Sequence, residues 1–141
     1  MSTTEQLMTG GCFCGDIRYQ CQGPSLMSGL CLCRTCQQHS GGAGNLFMVV
    51  GATNFEFTQG EPRSYSSGRR PASPTRYFCG RCGIHLVARS AVAADAVLIK
   101  IGTLDDPGRY DGPELVVWTS EMQKFNLLPS GVPAFAEVPG R

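Results

Sequence analysis

Charge is scarce in this sequence. Asp, Glu, Lys and Arg make up 16% of its 141 residues, against about 25% in average soluble proteins. The net charge is only +1, and lysine occurs at Lys100 and Lys124 alone. Without a basic excess there is no general attraction to phosphate backbones or anionic membranes, so neither nucleic acid nor a membrane surface is expected as a partner. Long apolar runs are missing too. The longest, Ala91 to Ile101, is interrupted by Asp95 and Lys100, well short of the ~18 continuous apolar residues of a membrane span. The first eight residues carry no basic segment and no apolar segment of the kind that directs export, and the chain is therefore expected in the cytoplasm. At 141 residues it has the length of one domain.

Helical periodicity is equally sparse, with a turn or two expected at Cys33 to His39 and at Ala91 to Asp95. Short segments of strand character dominate instead. Ile17 to Cys21 and Asn54 to Phe57 alternate apolar with polar residues, and Leu46 to Val50 is a short apolar run. Ile84 to Ala88, Ala96 to Ile101 and Leu115 to Thr119 are rich in branched or aromatic side chains. With 18 glycines and 9 prolines between them, these segments predict a mainly β fold with many turns. Ser64 to Thr75, which holds Arg69 and Arg70, reads as an exposed loop, and Pro129 to Arg141 as an irregular tail.

The eight cysteines are the richest signal. They fall into Cys12-x-Cys14, Cys31-x-Cys33-x-x-Cys36 and Cys79-x-x-Cys82, with Cys21 apart. In a reducing compartment such close spacings favour metal over disulfide, and a C-x-C pair is too close along the chain for a relaxed bridge. Gly11, Gly15, Gly80 and Gly83 flank or interrupt two of the groups, as metal-binding turns require where the backbone must take conformations closed to other residues. Seven ligands divide as four plus three. A site of Cys12, Cys14, Cys79 and Cys82 would be closed and structural; one of Cys31, Cys33 and Cys36 would leave a position open, the arrangement of catalytic zinc. Three thiolates outweigh the +2 charge of the ion, so water activation suits this site poorly, whereas a thiol arriving as fourth ligand would stay nucleophilic. His39, three residues after Cys36, is the group that could close the site instead.

These blocks, written out as Gly11-Cys12-x-Cys14-Gly15-x-x-x-Tyr19, Cys31-x-Cys33-x-x-Cys36 with Ser40-Gly41, Arg76-x-Phe78-Cys79-x-x-Cys82-Gly83 and Gly102-Thr103-Leu104-Asp105-Asp106-Pro107, resemble the glutathione-dependent formaldehyde-activating enzyme family, also called the centromere protein V family. The resemblance runs from about residue 10 to about residue 135. It implies a zinc-containing β-tent, a single domain, and two zinc ions per chain. Structural ligands would be Cys12, Cys14, Cys79 and Cys82, and catalytic ligands Cys31, Cys33 and Cys36. The implied reaction joins glutathione and formaldehyde into S-hydroxymethylglutathione, the work of a carbon–sulfur lyase. The chain departs from the family's usual pattern at Leu32 and Gln37, where His and Arg are common, and the family's late tryptophan has its expected counterpart near Phe125.

Glutathione carries two carboxylates, for which Arg34, inside the catalytic block, is the first candidate, ahead of Arg69, Arg70 and Arg76. Phe47 and Phe78 are the aromatics expected nearest the site, and His85 is expected in the core. Two alternatives compete with the enzyme reading: a non-catalytic zinc-stabilised binding module, and a thiol redox enzyme of related fold, for which Cys21 is the only unassigned cysteine.

Overall fold

The computed structural model describes residues 7–69, 72–90 and 93–139. Its chain divides into two units, each assembled from two stretches of sequence. One takes the residues up to Leu26 together with Met48–Tyr110; the other takes Met27–Phe47 with the residues from Asp111 onward. Ten strands and one α-helix occur among the described residues, so the fold is mainly β. Among the described residues no helix is long and apolar enough to cross a membrane.

In the first unit β1 (Met8–Gly11), β2 (Arg18–Cys21) and β5 (Phe55–Gln59) form an antiparallel sheet in the order β1-β2-β5. Alternation along β2 sends Tyr19 and Cys21 into the core and Arg18 and Gln20 outward, as a half-buried strand requires. Tyr19 lies against Phe55, which meets Phe57 edge-on at 5.1 Å between ring centroids. A second series comprises β6 (Arg63–Tyr65), β7 (Thr75–Phe78), β8 (His85–Arg89) and β9 (Ala96–Lys100), antiparallel throughout. Leu86, Val87, Val97 and Ile99 fill its core, and Arg89 lies over the rings of Phe55 and Tyr77.

The second unit is built on β3 (Met27–Cys31) and β10 (Leu115–Val117), parallel and in register from Gly29↔Leu115 to Cys31↔Val117. Helix α1 (Arg34–Ser40) follows β3 directly, and β4 (Asn45–Gly51) begins in this unit and ends in the other. The tail is irregular but tied down. The Val116 amide donates to the Pro133 carbonyl, and Phe135 donates back to Val116, so Ala134 bridges β10 in parallel.

Two expectations need correction. Arg63–Tyr65 pairs with β7 as β6, so the expected loop is shorter than Ser64 to Thr75; Arg70 lies outside the described residues. Ala91, which opens the second expected helical turn, also lies outside them, and Ala93 to Asp95 forms no helix.

Asp105 and Thr103, both in the Gly102 to Pro107 block, fasten this block to the first sheet. Asp105 accepts from both guanidinium nitrogens of Arg18 and from Thr9 Oγ1, while Thr103 Oγ1 meets the Tyr19 hydroxyl at 2.8 Å. The Arg18 guanidinium, aided by Thr9, holds the Asp105 carboxyl down to about 2. Because the pair is 33% and 45% exposed, its worth is that of a surface pair, about 0.2–1 kcal/mol. A carboxyl depressed on folding stabilises above its unfolded pKa and loses that contribution as pH falls through its folded value. Asp105→Asn should therefore lower stability at pH 7 by up to about 1 kcal/mol, and the difference from wild type should vanish between pH 4 and pH 2 in denaturant titrations.

Candidate metal centres

Each unit gathers one cluster of sulfurs. In the first, Cys12 and Cys14 lie on the turn between β1 and β2, and Cys79 and Cys82 on the turn between β7 and β8. The two turns repeat one pattern. Cys12 N–H donates to the Ile17 carbonyl and Cys79 N–H to the Ile84 carbonyl, each five residues on. Gly15 and Gly83 close the turns at φ +85° and +80°, backbone angles that cost other residues about 1–2 kcal/mol. Gly11 and Gly80 do not take positive φ; Gly80 leaves room instead, since a Cβ there would come within 2.6 Å of Arg63 Cδ. Asp16 on the first turn accepts from Arg81 on the second at 3.1 Å.

Phe13, between the two ligands on this turn, is 90% exposed, whereas Cys12 is buried. All four sulfurs lie within 4.8 Å of one another, with Cys12 Sγ to Cys14 Sγ at 3.6 Å and Cys14 Sγ to Cys79 Sγ at 3.7 Å. Four sulfurs at Zn–S of about 2.3 Å in a tetrahedron stand about 3.8 Å apart, so the cluster has the dimensions of a zinc site. Backbone amides already point at the sulfurs: Ile17 N–H at Cys12, and Arg81 and Cys82 N–H at Cys79.

The second cluster lies where β3 runs into α1. Cys31 ends the strand opposite Val117. Leu32, 1% exposed, turns into the core and donates its N–H to the Val117 carbonyl at 3.0 Å. Cys33 caps α1, its sulfur accepting the Cys36 N–H at 3.3 Å, and Cys36 sits in the first turn of the helix. Gly44 passes so near that a Cβ would stand 2.7 Å from the Cys31 carbonyl oxygen, which keeps the approach to β4 free of side chains. The three sulfurs lie within 4.8 Å of one another.

Neither cluster ionises uniformly. The thiols of Cys31 and Cys36 hydrogen-bond to Cys33 and hold it down to about 2 against the opposing effect of burial. The bonds of Cys31 to Cys33 and to Cys36, with burial, push Cys31 up. In the first cluster the Ile84 backbone brings Cys82 down to about 6. The Asp16 backbone favours the Cys14 thiolate, yet burial and the neighbouring sulfurs together push Cys14 up to about 12. Both donor sets, sulfur only and closely spaced, fit zinc and could hold it.

His39 does not join the second cluster; it is exposed further along α1, and among the described residues only the three cysteines converge there. Arg34 opens α1, exposed, with Nη1 on Gln37 Oε1 at 3.3 Å. Arg69 and Arg76 belong to the other unit, as does Phe78, whereas Phe47 is core of the second unit. His85 is half-buried in β8 opposite Phe78. Cys21 is buried, and burial pushes its thiol up to about 11, the opposite of what a redox nucleophile needs. Trp118 directly follows β10, and Phe125 is exposed. Gln37 and Glu121 bond around the Cys31 to Cys36 loop; Gln37 stands out in the sequence only as a departure from the family's pattern directly after Cys36, and nothing in the spacing of Glu121 marks it.

A crystal structure of a Rhodobacter sphaeroides protein is similar in fold, with a TM-score of 0.59 at 18% sequence identity, covering 75% of this chain and 97% of that one. No curated protein gives a match. The family model of the glutathione-dependent formaldehyde-activating enzyme matches residues 7–121. With that match spanning most of its length, the chain belongs to the glutathione-dependent formaldehyde-activating enzyme family.

Proposed function

We propose that this protein is a carbon–sulfur lyase that interconverts a small thiol of the glutathione type and an aldehyde such as formaldehyde with their adduct. In this reading Cys12, Cys14, Cys79 and Cys82 hold a structural zinc, and Cys31, Cys33 and Cys36 hold the zinc of the active site. One observation carries it: the second cluster converges three sulfurs where the first converges four. The family membership supports the substrate class.

Zinc, when bound there, supplies positive charge that favours the thiolate form of a thiol brought to the site. The chain's own part is to gather three sulfurs at one edge of α1 and to orient the incoming thiol. Arg34, exposed in the first turn of α1, offers a guanidinium to a glutathione carboxylate, for which a forked donor is well suited. In the reaction the thiolate sulfur forms a bond to the carbonyl carbon. The C=O π pair moves onto oxygen, which takes a proton from water, giving the S-hydroxymethyl adduct without oxidation or reduction.

Mixing 13C-formaldehyde with glutathione and following exchange by NMR tests the activity. Wild-type protein should speed exchange at least tenfold over buffer, and Cys33→Ser should return it to the buffer rate. No acceleration by zinc-loaded wild type would contradict the proposal.

The closed site ties turns whose cysteines are at least 65 residues apart, and a structural zinc contributes on the order of 10 kcal/mol. The three-sulfur site is one local loop. Elemental analysis during gradual chelation should find two ions lost in two steps. Cys79→Ser should lower the melting temperature sharply and Cys33→Ser only slightly; equal losses would mean that both sites are structural.

A further inference from the structure

Helix α1 has seven residues, too few to persist in water on its own, yet Cys36 lies on it and Cys33 caps it. Something outside the helix must hold it in place. Gln37, 4% exposed, sits at the centre of what does. Its Nε2 donates to the Leu32 carbonyl at 2.9 Å and to the Glu121 carbonyl at 2.8 Å. Its Oε1 accepts from Gln123 Nε2 at 3.2 Å and from Arg34 Nη1 at 3.3 Å. A glutamine amide has two donors and two acceptor positions, and all four are used.

The targets of these bonds are specific. Leu32 lies between Cys31 and Cys33, so its carbonyl is part of the backbone that sets the distance between their sulfurs. Glu121 closes the other side, its Oε1 accepting the Arg34 N–H at 2.8 Å at the start of α1. Glu121 reaches that position because the chain turns at Trp118, the one non-glycine residue with positive φ among the described residues, at φ 61° and ψ 40°. A left-handed tryptophan costs on the order of 1 kcal/mol or more and persists only where its surroundings demand it. Here the turn carries a carboxylate and a carbonyl from the end of β10 onto the cysteine loop.

We propose that Gln37 and Glu121 are a pair of positioning residues that hold Cys31, Cys33 and Cys36 at ligand spacing, and so determine how long the three-sulfur site keeps its metal. The inference rests on the reading of that cluster as a metal site. Their bonds to the Leu32 carbonyl and the Arg34 amide run to the backbone that carries the sulfurs, and both act through it. Partners of this kind, one shell beyond the ligands, typically change metal affinity by 10–100-fold when removed.

The test uses full-length protein loaded with cobalt and follows metal loss to a chelator, with Cys33→Ser marking the signal of the four-sulfur site. Gln37→Met keeps length and volume but removes all four bonds. It should lose cobalt from the three-sulfur site at least tenfold faster than wild type, with an altered visible spectrum, while the four-sulfur site releases metal at the wild-type rate. Glu121→Gln keeps an acceptor for the Arg34 amide and should stay within about threefold of wild type, whereas Glu121→Ala should behave like Gln37→Met. If Gln37→Met is folded and loses both metals at wild-type rates, even with a lowered melting temperature, Gln37 serves the fold alone and the proposal is overturned. Should Gln37→Met fail to fold, the Glu121 pair decides: equal rates for Glu121→Ala, Glu121→Gln and wild type overturn it. Wild-type protein that binds one ion contradicts the metal reading itself, and the proposal falls with it; that result is seen before any variant is made.

Discussion

Thiolates crowded within a few ångströms of one another repel, and everything distinctive about this chain follows from bringing seven cysteines into two such crowds. Two unit charges 4 Å apart cost about 4 kcal/mol at an effective dielectric of 20. Neither cluster escapes this by its own means. Cys33 in one cluster and Cys12 and Cys82 in the other are eased toward ionisation, while Cys31 and Cys14 are pushed the other way. Backbone amides aimed at Cys12, Cys33 and Cys79 offset part of the charge. A divalent cation is the partner that allows every thiol to ionise, which is why sulfur-only clusters at this spacing read as metal sites.

The two clusters solve the same problem with different scaffolds. In the first unit each turn makes the same five-residue hydrogen bond and closes on a left-handed glycine, and Asp16 and Arg81 clasp one turn to the other. The Thr103 and Asp105 contacts to Tyr19, Thr9 and Arg18 anchor the strands behind them. In the second unit the three sulfurs come from one stretch of six residues, tied down by the buried Leu32 between two of them and by the Gln37 amide. A closed set of four suits permanence. A set of three on a framed loop suits exchange of a further ligand.

What could be read from the sequence was what is local. Alternation in Arg18 to Cys21 and the branched run in Ala96 to Lys100 identify strands because their neighbours in sequence are also their neighbours on a face. The cysteine groups were legible for the same reason: C-x-C and C-x-x-C spacings fold onto themselves. Strand β6 was hidden because Arg63–Tyr65 is exposed along its whole length and pairs through its backbone alone. The Arg18 to Asp105 pair and the Gln37 to Glu121 bond join residues more than 80 positions apart. Trp118 gives no sign in sequence of its left-handed backbone, since the residues usual there are glycine and asparagine. The positive-φ roles of Gly15 and Gly83 were legible from their places in the knuckles; those assigned to Gly11 and Gly80 were not, because a glycine kept for room looks the same in sequence as one kept for its backbone angle.

In the proposed function a small thiol joins Cys31, Cys33 and Cys36 as a fourth sulfur on a metal ion bound by them. Titrating glutathione into cobalt-loaded protein addresses it directly, because sulfur-to-cobalt charge-transfer absorption reports the number of thiolates on the ion. Glutathione should raise that absorption in wild type and leave it unchanged in Cys33→Ser, and S-methylglutathione, which cannot form a thiolate, should leave it unchanged in both. A wild-type spectrum indifferent to glutathione, with cobalt shown to occupy the three-sulfur site, would contradict the account.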